Sequence, residues 1–264
     1  MKSRENPSLL NIKVFRLAAA FWLAGWYCKI TFYYEYLWST AVRYPLEYSF
    51  FPFVLQDAAI SQTVYLLPVA ALIIFMTEDP RAYLSASVVM LVSSLLMSWH
   101  MNTHNDATFV VSFWVAVWLF WLAANLKRAE AEFKLHIVVL AQCLCAMIFL
   151  GGFMGKLTPE YWHGDVFYHT HIIENNLWWA ARLKQTFNAE QLQGVAMVFS
   201  RAVIGMEGLL VLSPFLPSRF VCRFAPLCFS LIMFTNTWRI FSVLGCLMGM
   251  LLACLLLENS KKNA

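Results

Sequence analysis

A single lysine, Lys156, closes a long apolar run and opens an aromatic, histidine-rich stretch, GGFMGKLTPEYWHGDVFYHTH from Gly151 to His171. Where hydrocarbon gives way to water, desolvation weakens an amine's hold on its proton, so a lysine there can act as a neutral base. The same side chain can also lie along apolar surface and reach its ammonium into water. A second polar stretch, SWHMNTHNDA from Ser98 to Ala107, carries Asn102, His104, Asn105 and Asp106. Five of the six histidines, His100, His104, His163, His169 and His171, fall in these two segments, and His136 lies elsewhere.

An imidazole-rich loop can also bind copper or zinc. The spacing argues against it here. His169 and His171 point to opposite sides of an extended chain and lie about 200° apart on a helix. A metal is therefore not expected. The seven cysteines, Cys28, Cys143, Cys145, Cys222, Cys228, Cys246 and Cys254, all fall in apolar runs, so a disulfide framework is not expected. Cys143 and Cys145 form C-x-C on one predicted helix and should point to different faces, as small packing residues.

The elements that position these groups are membrane helices. Hydrophobic residues make up 61% of the chain and charged residues 13%, far from the roughly 45 to 50% apolar content of a soluble domain. Apolar runs of about 17 to 25 residues can cross some 30 Å of hydrocarbon. Eight candidates lie near 14–34, 60–77, 82–101, 107–125, 134–154, 192–213, 221–236 and 239–257, the last two separated only by Thr235 to Arg239. The expected fold is an all-α integral membrane protein, a polytopic bundle of about eight transmembrane helices forming one domain over residues 1–264. Lys2 and Arg4 precede an apolar stretch, but its length, its Trp22, Trp26 and Tyr27 and its lack of a small-residue cleavage site mark a first membrane helix, not a leader. The loops near 36–59 and 155–191 are rich in aromatic residues and should form interfacial or re-entrant pieces at the outer face.

Basic residues set the orientation, because Lys and Arg in short loops mark the cytoplasmic side. With the amino terminus inside, the inner face collects Lys2, Arg4, Lys13, Arg81, Lys127, Arg128, Lys134, Arg219, Arg223, Lys261 and Lys262. The outer face receives Arg43, Lys156, Arg182, Lys184 and Arg239. Both termini should be cytoplasmic, and Lys156 and the Asn102–His104 turn should open on one outer face. The net charge of +4 reflects this bias and makes no case for nucleic-acid binding. Charges inside spans cost about 2.5 to 3.5 kcal/mol each at a helix centre. Arg16 and Glu207 are expected to pair near the inner end, and Arg201 to line a polar cavity nearer mid-membrane.

Three features in this helix order resemble the membrane domain of vitamin K-dependent γ-carboxylases, the HTTM family. They are Arg16 at the start of the first helix, the Asn-x-His turn at Asn102 to His104, and G-x-x-x-K-L-x-x-x-x-W-x-G from Gly152 to Gly164. The late FTNTWRIF stretch also fits. The resemblance implies Lys156 as the base that deprotonates a reduced quinone, a vitamin K hydroquinone-like cofactor, with His104 and Asn102 supporting it. Tyr161 and Trp162, with His163 and Arg201, would hold that cofactor. It also implies a site on the outer, periplasmic or lumenal, face and a peptide or protein substrate there.

Two departures bear on the chemistry. Gly155 stands where the animal enzymes carry a second lysine, and His163 replaces an acidic residue. Those carboxylases also carry a large extramembrane domain after the bundle, whereas this sequence reaches Ala264 directly after its last expected helix. Carboxylase-like use of a quinol is therefore expected ahead of γ-glutamyl carboxylation itself. The alternatives are a non-catalytic membrane helper for maturation or export of a partner peptide, and a DoxX-like redox-associated protein, since DoxX and MauE-like chains also end a helix with glycine and lysine-leucine.

Overall fold

The structure, a computed structural model, describes residues 9–29, 50–101, 107–127, 130–174, 178–212, 215 and 238–259. Its long helices are α1 (Leu9–Tyr27), α2 (Ala58–Leu66, continuing as a 3-10 helix over Leu67–Phe75), α3 (Pro80–Ser98), α4 (Ala107–Ala124) and α5 (Glu130–Gly155). They are followed by α6 (Trp178–Thr186), α7 (Ala189–Leu212) and α8 (Trp238–Asn259). No strand occurs among the described residues. Ala58–Phe75, Phe133–Gly155 and helices α1, α3, α4 and α7 are each long and apolar enough to cross a membrane. The protein is thus an all-α polytopic membrane protein. These helices correspond to the first six expected spans. The seventh, near 221–236, lies outside the described residues, and the eighth falls within α8.

The chain forms two compact units, residues 1–141 with 230–264, and residues 142–229. In the first, α1 packs chiefly on α8, and α4 packs on α3, α1 and α8. Small residues allow the close approach of α1 and α8, as is usual where lipid supplies no hydrophobic drive between helices. A Cβ on Gly249 would stand 2.5 Å from Cβ of Phe21, and one on Gly25 3.1 Å from Sγ of Cys246.

Aromatic side chains tie this unit together through backbone carbonyls. Trp26 Nε1 donates to the Tyr65 carbonyl at 2.9 Å, while the Tyr65 hydroxyl donates back to the Trp26 carbonyl at 3.1 Å. Trp22 Nε1 reaches the Ser112 carbonyl at 2.8 Å, and Trp118 Nε1 the Ile137 carbonyl at 3.0 Å. The rings of Trp22 and Trp26 stack at 5.0 Å, with Phe109 edge-on to Trp26 at 5.2 Å. In hydrocarbon each such donor would otherwise have no partner.

Arg16 acts in the same way. Its Nε donates to the Ile74 carbonyl at 3.0 Å and Nη2 to the Thr77 carbonyl at 2.9 Å, and the Tyr83 hydroxyl also donates to the Thr77 carbonyl at 2.9 Å. Pro68 at the start of the 3-10 segment cannot donate an α-helical bond. At the segment's far end the freed carbonyls turn to a cation, which the helix dipole favours. The expected Arg16–Glu207 pair is therefore corrected: these carbonyls hold Arg16, and Glu207 pairs elsewhere. Cys143 and Cys145 point to different faces of α5, as their spacing predicts. Cys143 is exposed and Cys145 buried, as opposite faces require, and Cys246 and Cys254 are buried; Cys222 and Cys228 lie outside the described residues.

His100, just past α3, is buried, and burial pushes its pKa down to about 4. An unfolded chain therefore binds a proton here that the folded one refuses. Stability should be complete above about pH 6.5 and fall progressively toward pH 4, by about 3 kcal/mol for this group. Thermal midpoints of the detergent-solubilised protein across that window should show the decline, and His100→Gln should flatten it.

Candidate functional site

The second unit is built by the end of α5 and the chain that follows it. α5 stops at Gly155, and Lys156 turns its ammonium back toward the helix end, donating to the Gly152 carbonyl at 3.3 Å. A cation there complements the unpaired carbonyls of the last turn. The same Nζ lies across the carboxylate of Glu207 on α7, at 3.0 Å from Oε1 and 2.9 Å from Oε2. The Lys156 and Glu207 side chains are 24% and 11% exposed, so the pair is shielded from most solvent screening but open on one side. Gly152 makes room for it, since a Cβ there would stand 3.3 Å from Oε2 of Glu207. The Tyr161 ring centroid lies 6.0 Å from Nζ.

From Lys156 onward the chain follows α7 backwards. Thr158 caps a one-turn helix, Pro159–Trp162, accepting from Tyr161 N. The Ser200 hydroxyl donates to the Tyr161 carbonyl, and Arg201 Nε donates to the Trp162 carbonyl at 3.2 Å with its guanidinium 4.9 Å from the Trp162 ring centroid. Gly164 adopts φ +84°, and a Cβ on it would fall 2.5 Å from the backbone of Met197. Gln193 Nε2 donates to Oδ1 of Asp165 at 2.6 Å. Contacts thus run from Glu207 to Gln193 as the loop runs from Lys156 to Asp165.

A π-helical segment, Tyr168–Glu174, then packs Ile172 against Leu192 and Ala196. His171, beside Phe167 at 4.8 Å, has its pKa lowered by burial and, secondarily, by the charge of Lys156. The carboxyl of Glu160 lies below its usual range, held there by its own backbone N–H and the Thr158 hydroxyl. The site therefore combines an ion pair with a phenol ring. Such a set can accept a proton and stabilise the anion left behind.

Of the residues singled out from sequence, Lys156 and Tyr161 come together, and Trp162 and Arg201 form a second pair nearby on the same loop and helix. Arg201 is exposed. The side chain of His163 is exposed, while its carbonyl accepts a 3.5 Å bond from Gln193. Asn102 and His104 lie outside the described residues. Among the described residues no three His, Cys, Asp or Glu side chains gather as metal ligands. Glu207 was expected at the membrane end opposite Lys156, and instead shares the C-terminal end of α5 with it. A signal for its role existed: Leu192, Ala196, Ser200, Ile204, Glu207 and Leu210 recur at spacings of three and four and form the buried stripe of α7.

Comparisons with family models, curated proteins and solved structures return no match to this chain. The site's chemistry therefore rests on its own geometry. Gly164→Ala should destabilise the purified protein by more than about 2 kcal/mol, combining left-handed strain with the clash at Met197. Gly194→Ala, on an open part of α7, should instead gain a fraction of about 1 kcal/mol in helix propensity. Thermal melting of the two variants side by side checks both signs.

Proposed function

We propose that the protein is a membrane enzyme that deprotonates a reduced, quinone-type cofactor at the end of α5, in carboxylase-like chemistry on the outer face of the membrane. The observation that supports this most directly is the pairing of Lys156 with both oxygens of Glu207 beside the Tyr161 ring. A hydroquinone hydroxyl entering there can pass its proton to the Glu207 carboxylate while the phenolate takes the carboxylate's place on the Lys156 ammonium. One ion pair replaces another, so no uncompensated charge forms in an apolar setting. Lys156 then belongs to a basic pair and does not act alone. The Tyr161 and Trp162 rings offer faces for a quinol ring. Asn102 and His104 keep the supporting role that the family resemblance implies, and a peptide substrate on the outer face remains part of this proposal.

A purely structural ion pair would behave differently. Lys156→Met and Glu207→Gln each leave a half-buried partner uncompensated and should cost about 1 to 3 kcal/mol, discounted from the fully buried case for partial exposure. Joining Lys156→Met with Glu207→Leu should recover most of that stability. Quinol-dependent proton or carbon transfer, assayed with vitamin K hydroquinone in nanodiscs, should fall at least about a hundredfold in all three variants. A folded double variant that keeps full activity would refute the acid–base role. Removing the Lys156 charge should also raise the His171 pKa toward its ordinary value, which histidine NMR titration of Lys156→Met can read.

A further inference from the structure

The buried stripe of α7 is apolar except at two positions, Ser200 and Glu207. Both side chains engage the loop that follows α5: Glu207 holds the Lys156 ammonium, and the Ser200 hydroxyl donates to the Tyr161 carbonyl. Seven residues separate them, about 20° short of two full turns and about 10.5 Å of rise on an α-helix, so they lie on one face. Ile204, 3% exposed, stands between them and supplies no polar group.

The connecting chain does not fix this spacing by itself. The five residues from Lys156 to Tyr161, if extended, reach about 17 Å, well beyond the rise between the two contacts, and the Thr158-capped turn takes up the slack. The N–H of Tyr161 is held by a long bond, 3.5 Å to Thr158 Oγ1. Its carbonyl is held by Ser200, which is 2% exposed. A serine inside a helix ordinarily turns its hydroxyl to a carbonyl one turn back. Ser200 directs it across to the loop instead.

We infer that Ser200 is a positioning residue: with Glu207 as the second fixed point on α7, it sets the 6.0 Å separation between the Lys156 ammonium and the Tyr161 ring. The inference builds on the proposed reading of Lys156 and Glu207 as the acid–base pair and of the Tyr161 ring as a support for the quinol. Ser200 acts through Tyr161 and contributes no group to the proton transfer. It fixes the main chain of Tyr161, so that only the side-chain torsions of the ring stay free. A shift of about 1 Å in a substrate-orienting group is enough to slow a reaction severely.

The test places 3-fluorotyrosine in place of Tyr161 in the whole protein, held in nanodiscs, and reads its fluorine resonance. Lys156→Met removes the charge beside the ring and should move that resonance. In a Ser200→Ala background the displacement should shrink at least about twofold, because a released ring averages over longer distances from the charge. Ser200→Thr, which keeps the hydroxyl, should restore it, and Gln193→Ala, which cuts the loop's bond at Asp165, should leave it unchanged. An undiminished displacement in Ser200→Ala would overturn the inference. So would an equal reduction in Gln193→Ala, which would mean a general loosening of the loop, or a loss that Ser200→Thr does not restore, which would mean packing alone. If Ser200→Ala fails to fold, Ser200→Cys, of similar size and only a weak donor, gives the same comparison. With vitamin K hydroquinone, Ser200→Ala should raise KM about tenfold with a smaller fall in kcat, and an unchanged KM would overturn the link to the quinol. An unaltered protein inactive toward that quinol would refute the proposed reaction, while the fluorine comparison still decides the role of Ser200.

Discussion

Burying a cation and an anion is costly, and the second unit is arranged so that neither is buried alone. Lys156 sits where α5 must end, because its ammonium needs acceptors that an apolar run does not offer. Glu207 supplies two, and the Gly152 carbonyl supplies a third. Once the pair is made, the path of the following chain is restricted, and residues up to Asp165 lie along α7. Ser200, Arg201 and Gln193 then accommodate carbonyls and a carboxylate that would otherwise face an apolar helix.

The motif from Gly152 to Gly164 acquires a physical meaning from this arrangement. Gly152 clears space for a carboxylate, Lys156 binds it, Trp162 lies under a guanidinium, and Gly164 turns left-handed where α7 comes closest. These spacings describe how a loop docks on a helix. The same docking holds the Lys156–Glu207 ion pair open on one side, so the packing of the loop and the placement of its charges draw on the same few residues.

Much of the fold is legible in the sequence, because membrane helices are dictated by length and apolarity and, among the described residues, six helices meet both conditions. The faces of Cys143 and Cys145 follow from helix geometry alone. What hydropathy misses is offset. It treats α5 and α7 as equivalent spans, whereas the end of α5 meets α7 at Glu207, eighteen residues beyond Ala189 where α7 begins. Without that offset Glu207 falls at the wrong depth and is matched with Arg16. Arg16 misleads for a related reason: a charge in a span suggests a countercharge, but carbonyls released at the end of a 3-10 helix serve equally well.

The indole donors of Trp22, Trp26 and Trp118 all end on main-chain oxygens. A main-chain acceptor is present whatever side chain its residue carries. Each tryptophan is therefore constrained by chemistry, while Ser112, Tyr65 and Ile137 are constrained, as acceptors, only in position. The indole bonds of Trp22 and Trp118 would therefore survive a change of side chain at Ser112 or Ile137, whereas Tyr65 is tied to Trp26 by its own hydroxyl as well.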